Sequence, residues 1–168
     1  ISGIEGEGGV GTPLGIYMQS SGTIVIQSNI FTELAVRAIV IEISSFTSIV
    51  ANTFNYANNS AQPSIDATGL PTVDNLNIVN NFFVSGTNVI TITANAAGRI
   101  VVNTGIKDNK FVGSITAAIR LAQSDSGVIS QTSIHGNQAT RTFLVTAGSP
   151  VSTIRDDNLL NATQQTDD

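Results

Sequence analysis

The sequence predicts an all-β protein, a parallel β-solenoid of about six coils, and three observations carry that prediction. A six-residue pattern, Ile-x-x-Asn-x-Phe, returns along almost the whole chain, and a second, strand-like pattern alternates with it. The third is composition: only 11% of the 168 residues are charged, while 16 Asn, 17 Ser and 19 Thr supply the polar surface. Average soluble chains are about 25% charged, so hydroxyls and amides must do here what Lys and Glu do elsewhere.

The first pattern reads IQSNIF, IVANTF, IKDNKF, IHGNQA and IRDDNL, with a further copy at Ile78. Its isoleucines are Ile26, Ile49, Ile78, Ile106, Ile134 and Ile154, spaced 23, 29, 28, 28 and 20 residues apart. The polar position three residues on holds Asn29, Asn52, Asn81, Asn109, Asn137 and Asp157. The second pattern begins at Ile16, Ile39, Ile65, Ile90, Ile119 and Phe143. Both alternate apolar and polar residues and are rich in Val, Ile and Thr, the signature of strands with one buried face. A repeat of this size cannot bury its apolar face alone, whereas stacked copies bury a continuous column. Coils about 4.8 Å apart would make a prism roughly 30 Å tall.

Each element then has a reason. Residues 1–14, GIEGEGGVGTPL at their heart, are a Gly-rich lead-in or incomplete first coil; without a Lys-Ser/Thr ending they are not a phosphate loop. Residues 15–160 form the solenoid, with one ladder of the six isoleucines and another of Phe31, Phe54, Phe83, Phe111, Ala139 and Leu159. Asn at each corner tolerates left-handed backbone angles, and its amide can donate and accept along the stack. The excursion Asn55 to Thr72, with two prolines and Gly69, is the loop expected to shape a groove. Residues 161–168 are a polar C-terminal tail.

Composition also excludes. With no Cys and a single His, thiolate chemistry and multi-histidine metal sites are removed, so neither a metal nor a cofactor is expected. A net charge of −5 argues against nucleic acid as a partner. The longest apolar stretch, Leu34 to Ile43, is interrupted by Arg37 and Glu42 and is too short to span a membrane. The chain opens on Ile1 without a charged or apolar leader, which suggests a piece of something longer.

The Ile-x-x-Asn-x-Phe turn followed by a Gly- or Ala-Ile-x-Ile strand resembles the right-handed parallel β-helix of the pectate-lyase-like superfamily, over residues 15 to 160. Irregular coil lengths, absent Cys and the Ser/Thr/Asn-rich exterior most resemble bacteriophage tailspikes. The resemblance implies right-handedness, carbohydrate as ligand class, and a homotrimer that binds bacterial surface polysaccharide from a virion tail or another extracellular position, below an upstream virion-anchoring domain. It does not select a reaction, because the superfamily includes lyases, polygalacturonases, epimerases and adhesive proteins.

Stacking the second pattern gives an outward column of Tyr17, Val40, Asp66, Thr91, Arg120 and Leu144, and two residues on a column that includes Gln19 and Glu42. Glu42 and Asp66 are then diagonal neighbours with Cβ atoms about 8 Å apart. That separation suits an inverting glycosidase, in which one carboxyl protonates the leaving oxygen and the other activates water. Arg120 would hold a sugar carboxylate or depress a neighbouring pKa, and Tyr17 would offer a platform to a sugar ring. The other outward column is Gln27, Val50, Val79, Lys107, His135 and Arg155, in which Lys107 and His135 are candidate contacts to an anionic glycan. Three functions follow: a tailspike-like polysaccharide-binding hydrolase, a non-catalytic shaft or adhesin module, and a secreted polysaccharide lyase. The last is least supported, since no calcium-binding Asp cluster is evident.

Overall fold

The computed structural model describes residues 5–7, 15–19, 22–32, 37–55, 63–124, 126–140, 144–147, 151–156, 158–160 and 163–165. Side-chain surroundings are described for 15–19, 22–32, 37–55, 63–84, 88–113, 117–124, 126–140 and Asn158. Residues 56–62, the middle of the expected groove loop, lie outside them. The described strands are, in order, β1 (Glu5–Glu7), β2 (Ile16–Gln19), β3 (Thr23–Gln27), β4 (Ile30–Thr32), β5 (Ile39–Ile43) and β6 (Phe46–Val50). Then follow β7 (Thr53–Asn55), β8 (Ile65–Ala67), β9 (Thr72–Val79), β10 (Phe82–Ala94), β11 (Ile100–Lys107) and β12 (Lys110–Gln123). The last are β13 (Val128–His135), β14 (Gln138–Ala139), β15 (Leu144–Ala147), β16 (Val151–Asp156), β17 (Asn158–Leu160) and β18 (Thr163–Gln165).

These strands stack as a parallel β-solenoid. One sheet runs β3-β6-β9-β11-β13-β16, each strand parallel to the next. The second sheet has two tiers, β1-β4-β7-β10-β12-β14-β17 and β2-β5-β8-β10-β12-β15, because β10 and β12 are long enough to serve both. A turn of the chain passes through the first sheet, a tight corner, the first tier and the second tier. About four turns are present rather than the six expected. The reason is geometric: motif copies mark boundaries, and the four intervals from Ile26 to Ile134 are the turns with both boundaries in the expected register.

The interior is built of columns, as alternation requires. Ile26, Ile49, Ile78, Ile106 and Ile134 are wholly buried and are register partners from strand to strand. On the second tier Ile39, Ile65, Ile90 and Ile119 form a second buried column. Phe31, Phe54, Phe83 and Phe111 stack with centroids 4.9, 4.7 and 4.9 Å apart and ring planes within 8°. Strand spacing sets that separation, and each stacked pair contributes roughly 0.5–1.5 kcal/mol beyond its buried area.

At the corner, each Asn Oδ1 accepts two hydrogen bonds from the preceding Asn. The Asn52 backbone N–H and Nδ2 reach Asn81 Oδ1 at 2.9 and 3.0 Å, and Asn81 reaches Asn109 in the same way. The remaining Nδ2 hydrogen donates to the isoleucine carbonyl one coil back, as Asn81 does to Ile49 at 2.9 Å. Burial is therefore matched by complete satisfaction, without which a buried amide would cost stability. One expectation is corrected here: the left-handed residue is not the Asn but the one before it, Ser28, Ala51, Asn80 and Asp108, with φ of 55, 54, 55 and 54°, and Gly136 at 67°. The sharp bend is made by the preceding residue, which turns the Asn side chain inward along the stack.

The last coil also departs from expectation, by one residue. Ile134 pairs with Arg155 and His135 with Asp156, and the ladder continues from Asn137 to Asn158 at 3.1 and 3.0 Å rather than to Asp157. Ala139 pairs with Leu160 instead of Leu159, and Arg120 with Val145 instead of Leu144. Matching isoleucine to isoleucine ranks an apolar contact above the amide, and the amide, which has no substitute partner inside the corner, sets the register. After β17 the chain reverses, and β18 lies antiparallel to it.

Candidate functional site

The second tier gathers four of the six predicted site residues. Its strands place Tyr17, Val40, Asp66, Thr91 and Arg120 in one row of direct register partners. Inward neighbours such as Ile39 and Ile41 are fully buried, which fixes the row on the outer side of the sheet. The expectation that this row is solvent-exposed holds at one end only. Tyr17 is 46% exposed and Arg120 half-buried, but Val40, Asp66 and Thr91 are buried, Asp66 to 5%.

Glu42 reaches the row through a backbone irregularity. Met18 pairs with Ile41, but Gln19 pairs with Ile43, so Glu42 is an extra residue in β5. Its carboxylate accepts a hydrogen bond from Gln19 Nε2 at 2.9 Å, and the same Nε2 lies 2.8 Å from the Tyr17 hydroxyl oxygen. The Tyr17 hydroxyl in turn hydrogen-bonds Glu42. These bonds, Tyr17's first, hold Glu42 below the usual carboxylate range, and the hydrogen bond to Glu42, ahead of desolvation and the Glu42 charge, raises the Tyr17 hydroxyl.

Asp66 moves the other way. Burial pushes its carboxyl up, against the pull of Arg37 and Arg120, and the nearby Glu42 charge adds to the rise. Arg37 Nε lies 3.1 Å from Asp66 Oδ2. The ion pair and the upward shift oppose each other: a single contact from a 40%-exposed guanidinium recovers less than burial of the carboxyl costs. The result is two neighbouring carboxyls with opposite tendencies, Glu42 toward the ionised form and Asp66 toward the protonated one.

Lys107 and His135 lie elsewhere. They are register partners on the six-stranded sheet, both half-buried, and the structure joins them to each other but not to the Tyr17–Glu42–Asp66 group. Their column ends at Asp156 rather than the expected Arg155. Residues absent from the predicted set are Gln19, Arg37 and Arg99. Gln19 stood two residues beyond Tyr17 on the same outward face, which was the available signal. Arg37 and Arg99 lie just ahead of β5 and β11, outside either repeat, and Arg99 acts on Glu42 through space.

Comparison with family models, curated proteins and solved structures gave no match.

Proposed function

We propose that this β-solenoid binds bacterial surface polysaccharide on the flank that carries Tyr17, Gln19 and Glu42, as a tailspike-like attachment protein of a virion tail or other extracellular surface. The observation that carries the reading is the hydrogen-bonded Tyr17–Gln19–Glu42 group, an exposed aromatic ring beside planar polar groups on a rigid sheet. A sugar presents apolar C–H faces and vicinal hydroxyls, which a ring face and an amide–carboxylate pair complement. The resemblance of the repeat to tailspikes supports the same ligand class. Upstream anchoring and trimerisation belong to that proposal.

One observation favours a second reading, hydrolysis at the same place. Carboxyls whose environments drive their pKa values apart are what acid–base catalysis needs. In this reading Asp66 carries the proton for the leaving oxygen, and ionised Glu42 activates water. The Arg37 contact works against it, since Asp66 must be free to give up its proton.

The test is incubation with a panel of capsular and O-antigen polysaccharides, scoring retention on the immobilised glycan and product size by mass spectrometry. Binding that falls in Tyr17→Ala and Gln19→Ala supports the first reading. Defined oligosaccharides, lost in Glu42→Gln and Asp66→Asn by about 10²-fold or more with binding retained, add the second. A protein that neither binds nor cleaves any member is a structural shaft, and both readings fall.

A further inference from the structure

We propose that the Tyr17–Gln19–Glu42 group reads unsubstituted vicinal hydroxyls, so that the flank selects glycans whose diols are free and rejects their O-acetylated forms. This rests on the polysaccharide-binding reading and narrows it to one substrate class.

The hydrogens of the group are all committed. A glutamine Nε2 carries two hydrogens and a tyrosine hydroxyl one. Gln19 Nε2 lies 2.9 Å from Glu42 Oε2 and 2.8 Å from the Tyr17 oxygen, and the Tyr17 hydroxyl bonds Glu42, so each hydrogen is spent inside the group. The Gln19 amide cannot be turned the other way, because an ionised carboxylate has no hydrogen to give and must face the NH2 side. What remains on offer is acceptors, Gln19 Oε1 and the unused lone pairs of Glu42. A ligand must therefore bring the hydrogens.

The strands hold these acceptors between two apolar groups. Tyr17 and Gln19 occupy alternate positions of β2 on either side of buried Met18, and both are exposed. Glu42, half-buried on the next coil, has its carbonyl bonded to Leu70 N–H at 2.7 Å, which sets Leu70, 42% exposed, one coil further on. An aromatic ring on the coil before Glu42 and an aliphatic side chain on the coil after it thus flank the acceptors along the axis. The Arg37 guanidinium is directed to Asp66, Nε to Oδ2 at 3.1 Å, rather than to this group. A pyranose laid here sets its C–H faces on the apolar groups and neighbouring hydroxyls on the carboxylate, whose two oxygens accept from a diol together. An acetyl ester at either hydroxyl removes a donated hydrogen and brings oxygen against oxygen.

The experiment uses the intact chain and matched probes: capsular and O-antigen polysaccharides with an O-acetyl group on one of two vicinal positions, each beside its own mild-alkali product. Mild alkali removes the O-acetyl esters and leaves N-acetyl groups in place. Binding is read by biolayer interferometry, with circular dichroism confirming that each variant is folded. The de-O-acetylated form should bind about tenfold more tightly or better, the order expected for one hydrogen bond to a charged group. Gln19→Arg keeps hydrogens for Tyr17 and Glu42 and adds outward donors, so it should bring that ratio close to one. Gln138→Arg, the same change at an exposed position of β14 on the first tier, should leave the ratio unaltered. Equal binding of the two forms, tighter binding of the acetylated one, a full preference kept by Gln19→Arg, or the same loss in Gln138→Arg overturns selection of free diols and leaves polysaccharide binding standing. Failure to bind any polysaccharide overturns both.

Discussion

The corner of the solenoid and its second-tier flank are built from the same repeat and obey opposite rules. At the corner every coil carries the same residue in the same place, all amide groups are partnered, and four phenylalanines stack at strand spacing. On the flank one row holds Tyr, Val, Asp, Thr and Arg, an extra residue interrupts the ladder, and a carboxyl is buried at a cost to its charged form. Repetition marks where the fold is specified; its loss marks where the chain is free to carry chemistry. That contrast makes the two regions respond differently to substitution.

The largest effect is expected at the corner. Asn81→Ala removes the acceptor of two Asn52 hydrogens and the donor to Asn109 Oδ1, all buried. It should destabilise by about 3–5 kcal/mol, because each stranded group costs about 1–3 kcal/mol. Urea unfolding checks it, and a loss under 1 kcal/mol would show that the corner is no more demanding than the flank.

The flank should respond to pH instead. The folded-state pKa of Asp66 is raised, so the native state holds its proton more tightly than the unfolded chain does. Stability therefore falls as pH rises from the ordinary Asp value, about 3.9, through the raised one. Glu42 is shifted down and contributes the reverse: its stability is present above its ordinary value and lost as pH falls through the lowered one. Asp66→Asn should remove the first dependence and leave the protein at least as stable as wild type at neutral pH. Thermal melts across pH 3–8 decide it; an unchanged pH profile in the variant would mean that Asp66 is not the group responsible.

A smaller effect sharpens the comparison from within the corner. Ala51 holds φ of 54°, where a Cβ is unfavourable, while Gly136 occupies the equivalent place with φ of 67°. Ala51→Gly should stabilise by about 1 kcal/mol, a gain that calorimetry can resolve, since the left-handed conformation costs an L-residue about 1–2 kcal/mol and glycine's extra chain entropy returns part of that.

The same contrast explains what could be read from the sequence. The Ile26 and Phe31 columns and the Asn positions were legible because stacking puts identical side chains in identical surroundings, and spacing alone reveals them. The last coil was misread where two signals disagree by one residue, Ile154 against Asn158, and hydrogen bonding prevailed. On the flank, the adjacency of Val40, Asp66, Thr91 and Arg120 followed from the strand pattern. The extra residue at Glu42 has no periodic signature, and Arg37 sits ahead of its strand, so neither the Gln19 bond nor the Asp66 ion pair was visible. The burial of Asp66 is likewise a property of what surrounds the row rather than of its own spacing.

The Asn ladder has one further consequence. Every rung points the same way: backbone N–H and Nδ2 donate toward the following coil, and Oδ1 faces the preceding one. Partial charges along the corner therefore reinforce one another, as they do along an α-helix, although one Nδ2 hydrogen per rung points back and offsets part of the sum. Ordinary sheets have little net dipole. This solenoid thus carries an axial field along one edge, with its positive pole toward the C-terminal coils, so that the two ends of the stack are electrically distinct.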